Sequence, residues 1–194
     1  PAPRFGTTGK TPNGIVKPGQ GFIMRAAESG GSLTFKNTHR TTLTKPSGGI
    51  DGVYYKAEEA TTDKFWLTLT TPNQMNVVIA LAYNPDAENS FERFDSMIFS
   101  EAVTENFYSL SSDERKLAIQ SRKGDFNTED KIPLGIKSSE TGLQKISVES
   151  KYGTFESQPI YLKDKLLNTV VNLSETPYEF TSVEGVDQNR FEIV

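Results

Sequence analysis

Asp86, Glu88, Asn89 and Asp95 crowd into the stretch NPDAENSFERFD (84–95), the one segment of the chain dense in acidic and amide groups. Calcium takes about six to eight hard oxygen ligands, so these four side chains are the candidate ligands of a calcium loop. The spacing departs from the D-x-D-x-D-G register of an EF-hand. Arg93, inside the same stretch, offers an opposite charge that would neutralise it and leave a hydrogen-bonded loop without metal.

Trp66, Tyr54, Tyr55 and Tyr83 are the second set, because aromatic rings lined along one exposed face stack against sugar rings. Packing into a core explains the same residues. His39 is the single histidine, which excludes multi-histidine metal sites and leaves a serine triad with one imidazole and no G-x-S-x-G elbow. It lies in NTHR (37–40), where a solvated loop histidine is expected. Carboxylate pairs for glycoside hydrolysis are numerically available among the 25 acids, but most stand beside Lys or Ser in turns. No catalytic residue is assigned, and no enzyme is expected. Gly19 and Gly21 precede a strand rather than a helix, so they form no phosphate cradle.

The whole composition agrees. A net charge of −4 with both signs interspersed opposes nucleic-acid binding, which needs clustered Lys and Arg. Zero cysteines removes disulfides, thiolate metal sites and a Cys nucleophile, and leaves the compartment open. No run approaches the ~20 apolar residues that span a bilayer. Calcium aside, no cofactor is implied.

The elements that must position these residues are strands. With 12 Phe and 7 Tyr and many β-branched residues, the chain favours pleated surfaces. From residue 132 onward it is a ladder of short alternating stretches, IPLGIK, LQKISVES, PIYLKDKLL, TVVNL, YEFTS and RFEIV, separated by turn residues. Earlier, Phe22–Ala26 and Gly30–Asn37 read as a hairpin, KFWLTLT (64–70) buries Phe65, Leu67 and Leu69 on one face with Trp66 opposite, and MNVVIALAY (75–83) reads as a central strand buried on both faces. Two strands flank a turn at 111–114. At most a turn or two of helix is expected near 101–106.

The fold class expected is all-β, an antiparallel β-sandwich of jelly-roll-like kind. Residues 1–15 read as an exposed lead-in and 16–194 as a single sandwich domain, with a possible sub-boundary near 122–132.

Taken together, the phrases KPGQGFI (17–23), LTFKN (33–37) closing on Arg40, FWLTL (65–69), FERFDSMIF (91–99), FYSL (107–110), IPLGI (132–136), IYLKD (160–164), YEFT (178–181) and NRFEI (189–193) resemble the module near the C-terminus of many Bacteroidota secreted and surface proteins. That module lies upstream of a type IX secretion sorting domain. Two departures from its pattern stand at Phe94 and Met97, where Tyr and Lys are commoner. The tripeptide Asp95-Ser96-Met97 resembles an O-glycosylation acceptor of exported proteins in that group. The resemblance implies export by type IX secretion, an extracellular location at the cell surface, and a structural or adhesive role in a large adhesin-like protein or filament. Its partners would be other domains or chains of that assembly, or glycans. The alternative is a carbohydrate-binding accessory module of an exported enzyme.

Overall fold

The computed structural model describes residues 30–32, 34–39, 63–99 and 104–194. The chain divides into two compact units, 1–58 and 59–194. In the first, Asn37–His39 form a 3₁₀ turn closed by the His39 amide on the Lys36 carbonyl at 2.9 Å. Residues 30–32 and 34–36, expected within a strand, carry no regular structure. The expected partner strand 22–26 and the lead-in 1–15 lie outside the described residues, as do Tyr54 and Tyr55.

The second unit is all-β, and no α-helix occurs among its described residues. Its strands are β1 (Lys64–Thr70), β2 (Asn76–Asn84), β3 (Ser96–Met97), β4 (Asn106–Leu110), β5 (Lys116–Lys123), β6 (Ile132–Ser138), β7 (Gly142–Tyr152), β8 (Tyr161–Asp164), β9 (Thr169–Asn172), β10 (Tyr178–Ser182) and β11 (Gly185–Ile193). All belong to one sheet of order β10-β7-β1-β2-β5-β4-β6-β11-β8-β9, with β3 on β5. Every ladder is antiparallel except β2 with β5. A parallel pair requires a long crossover, and here residues 85–115 supply it, carrying β3 and β4. The loop 124–131 leads from β5 to β6, and β4 lies between those two strands in the sheet.

In place of two separate facing sheets, this single mixed sheet curls until it is nearly closed into a barrel. Bulges between Trp66 and Leu67 and between Asp187 and Phe191 add local twist and bend, which is how one sheet wraps its own core. β10, one end of the sheet, comes round to β11, third from the other end, where Phe180 lies 4.6 Å from Phe191, ring centre to ring centre.

The interior follows from alternation. Phe65, Leu67 and Leu69 of β1 face inward with Ile79, Leu81 and Tyr83 of β2 and Leu134 and Ile136 of β6. The expectation that 75–83 is buried on both faces is corrected: Val78 is 41% exposed, because only the inner side of the curled sheet has an opposing wall. The stretch PIYLKDKLL also differs from the expected single strand. The Asp164 carboxylate accepts the amides of Leu166 (2.9 Å) and Leu167 (3.2 Å), and Asn168 takes φ of +50°, so the chain turns back into β9.

Candidate functional site

The acidic loop folds around its own backbone. Asp95 Oδ1 accepts the Ser121 amide at 2.8 Å and its Oδ2 the Glu92 amide at 3.0 Å. Asn89 Oδ1 accepts the Lys123 amide at 3.0 Å, and Glu88 pairs with Lys123 Nζ at 2.9 Å. Asp86 is exposed on the turn. Arg93, expected to neutralise the cluster, stacks on Phe94 instead, and Lys123 supplies the cation. The four oxygen donors are thus turned to separate tasks. Among the described residues no group of three or more His, Cys, Asp or Glu side chains could hold a metal ion. Burial raises the Asp95 pKa above the ordinary carboxylate value, against the pull of the two amides.

The aromatic set is divided by the pleat. Trp66 stands half-buried on the outer face, edge-on to Tyr152 at 5.4 Å, with Lys64 Nζ 5.8 Å from the indole. Tyr83 points the opposite way into the interior and donates its hydroxyl to Asp130 Oδ2 at 3.0 Å. Burial, then the neighbouring Asp130 charge and hydrogen bond, raise the Tyr83 pKa. Trp66 and Tyr83 therefore share no sugar-stacking face.

Two buried ion pairs were not foreseen. Arg122 donates to Asp130 from Nε (2.8 Å) and Nη2 (2.5 Å), the same carboxylate that holds Tyr83. Arg190 donates to Asp164 Oδ2 from Nε (3.0 Å) and Nη2 (2.7 Å), and the Tyr178 hydroxyl reaches that oxygen at 2.8 Å. Burial would raise the Asp164 pKa, but the hydrogen bonds from Arg190, Tyr178 and the Leu167 amide outweigh it and hold the carboxyl below its ordinary value. Arg122, Asp130 and Asp164 are flanked by polar or charged residues and Arg190 by Asn189 and Phe191, so the sequence carries little signal of their burial and none of which would meet.

At the end of the barrel where β1 begins and β11 ends, a cavity of about 430 Å³ opens, walled by Phe65, Tyr83, Phe126, Phe155, Ile160 and Ile193, with Asn127, Thr128 and Gln158 among its polar groups. Phe155 lies at the middle of the aromatic wall, 4.7 Å from Phe65, 4.8 Å from Phe126 and 5.8 Å from Tyr83. Its position is set by a 3₁₀ turn (Gly153–Glu156). There Asp63 accepts the Thr154 amide at 2.7 Å and Gly153 takes φ of +67°, a conformation open to glycine. Among the described residues three buried acceptor atoms, in Glu105, Gln120 and Gln144, lack hydrogen-bond partners, and none of these residues lines the cavity.

Among the described residues no helix is long and apolar enough to cross a membrane. No curated protein and no solved structure matches the chain. A family model described as "Domain of unknown function (DUF8693)" matches residues 3–194, and the chain belongs to that family.

Proposed function

We propose that this chain is a non-catalytic β module of an exported, surface-displayed bacterial protein, with a structural or adhesive role. The observation that carries the reading is where the buried charges go. Among the described residues, Asp164 with Arg190 and Asp130 with Arg122 tie strands and loops together, and the buried Glu105 holds Ser139, away from the end cavity, so these charges do not converge on that cavity as acid, base or nucleophile. The jelly-roll-like sandwich belongs to this reading, supported by the apolar core inside the curled sheet. Export by type IX secretion and the cell surface as destination rest on the ordered phrases from KPGQGFI to NRFEI. The partners proposed are other domains or chains of the same assembly.

Antibody labelling of intact cells, with fractionation, tests this. Surface signal removed by external protease is expected; material confined to the cytoplasm refutes it.

A carbohydrate-binding accessory role is the second reading, favoured by the pair Trp66–Tyr152 on the outer face with Lys64 beside both rings. Glycan-array binding lost in Trp66→Ala supports it, and binding unchanged by that substitution removes it.

A further inference from the structure

We propose that the cavity at the end of the barrel is a binding site for a small, neutral molecule with an aromatic or branched apolar body and a hydrogen-bonding group at one edge. The proposal stands independently of the surface role.

Size and place come first. A cavity of about 430 Å³ sits within the ~300–1,000 Å³ range of small-molecule sites, which recur in the mouths of β-barrels. It opens to solvent past the exposed Val170 and Tyr161, so a compact molecule can enter it.

The wall is built rather than incidental. Phe155 is 2% exposed and packs edge-on or tilted against three other rings, which fixes the floor, while the accessible apolar lining comes from Phe126, Tyr161 and Val170. Its turn is fixed from a distant part of the chain by Asp63.

The polar chemistry then sets the charge. Asp130 is the acid on the wall, and its lone pairs are already taken. Oδ2 accepts from Tyr83 and Arg122 Nε, and Oδ1 accepts from Arg122 Nη2 and the Lys131 amide. A carboxylate so occupied has nothing to offer a cation or a metal. Arg122, whose Nε and Nη2 serve Asp130, is not among the residues that line the cavity. The other polar side chains on the lining are those of Asn127, Thr128, Gln158 and Tyr161, neutral groups suited to one or two hydrogen bonds. The ligand is accordingly uncharged.

The test uses the full 194-residue chain and N-phenyl-1-naphthylamine, a neutral aromatic dye that brightens in apolar surroundings, with indole as competitor. Saturable one-to-one binding, displaced by indole, is the expected result. Val170→Trp, which builds an indole into the cavity from an exposed position of β9, should weaken dye binding by about tenfold or more while circular dichroism and the melting temperature hold. Thr128→Trp, on the loop at another wall, repeats the test should Val170→Trp fail to fold. Absence of saturable binding overturns the proposal. So does binding that both folded Trp variants leave unchanged, since the dye would then sit elsewhere. Dye expelled as the protein self-associates with rising concentration also overturns it, in favour of a second copy as occupant.

Discussion

Arg190→Met should destabilise the β unit by about 3–5 kcal/mol, the cost of leaving a buried carboxylate without its cation. The magnitude follows from the environment of Asp164. Its side chain is fully buried and that of Arg190 is 11% exposed, so water screens the pair little. Two guanidinium hydrogen bonds end on Oδ2, and removing both leaves Tyr178 and the Leu166 and Leu167 amides to stabilise a charge in the interior. Urea unfolding followed by fluorescence of Trp66, the single tryptophan, reports directly on the β1–β7 region. At roughly 3 °C per kcal/mol the melting temperature should fall by about 9–15 °C.

The double variant Asp164→Leu/Arg190→Met separates the pair's charge from its packing. Replacing both partners by apolar groups of similar volume should recover most of the loss. Acid gives a second arm. Because the folded pKa of Asp164 lies below the unfolded value, its contribution is complete above about pH 4 and disappears as pH falls through the folded pKa. Asp95 runs the other way: its raised folded pKa means that protonation on lowering the pH relieves a penalty. An Arg190→Met variant within about 1 kcal/mol of wild type, or a double variant no better than the single, would refute the reasoning.

Tyr83→Phe removes one hydrogen bond to Asp130 and should cost about 1 kcal/mol in urea unfolding, whereas Asp130→Leu strands the buried Arg122 and should cost about 3 kcal/mol or more. Equal losses would show that the ion pair contributes nothing beyond the phenol contact. Gly135→Ala should cost about 1–3 kcal/mol by calorimetry, since its Cβ would overlap the ring of Tyr108, which crosses that glycine to reach Gln188 at 2.9 Å. An unchanged melting temperature would mean that the ring moves freely. Calcium at millimolar concentration should shift the melting temperature by no more than about one degree, because the oxygens of Glu88, Asn89 and Asp95 already hold Lys123 and backbone amides. A clear rise would restore 86–95 as a metal loop.

Most strands of the β unit were legible because alternation is a local property. KFWLTLT places Phe65, Leu67 and Leu69 inside and Trp66 on the opposite face, and the structure agrees, with Trp66 half-buried there. The ladder after residue 132 is equally plain, apart from the break at Asp164. What alternation leaves open is which strand lies beside which. β2 pairs with β5 in parallel across more than one intervening strand, and nothing in MNVVIALAY or KLAIQ signals that partner. One curled sheet and two facing sheets also demand the same inward-outward pattern, so periodicity does not separate them. The candidate sites suffered from the same limit. Asp86, Glu88, Asn89 and Asp95 are neighbours in sequence, but their hydrogen bonds run to Ser121, Lys123 and the loop backbone. The cavity draws its walls from the two ends of the unit, Phe65 and Ile193, and from the loops between.

The closure of the barrel shows what those long-range contacts are for. β11 pairs with β6 along both of its halves but with β8 only at residues 191–193, and among the described residues no ladder runs along the other edge of its first half. β10 comes to that edge, yet it pairs only with β7. An open edge of this kind invites pairing with another chain. Arg190 spans the seam by placing Nη1 on the Thr181 carbonyl at 3.2 Å while its other donors hold Asp164 of β8, and its guanidinium lies 5.0 Å from the Phe180 ring and 4.8 Å from that of Phe191. Tyr178 completes the link from β10 to the same carboxylate. One cation and one acid thus tie β10 to β8 and β11, which the backbone joins to each other, and the bulge after Asp187 delivers that cation, since Asp187 Oδ1 accepts the amides of Asn189 and Arg190.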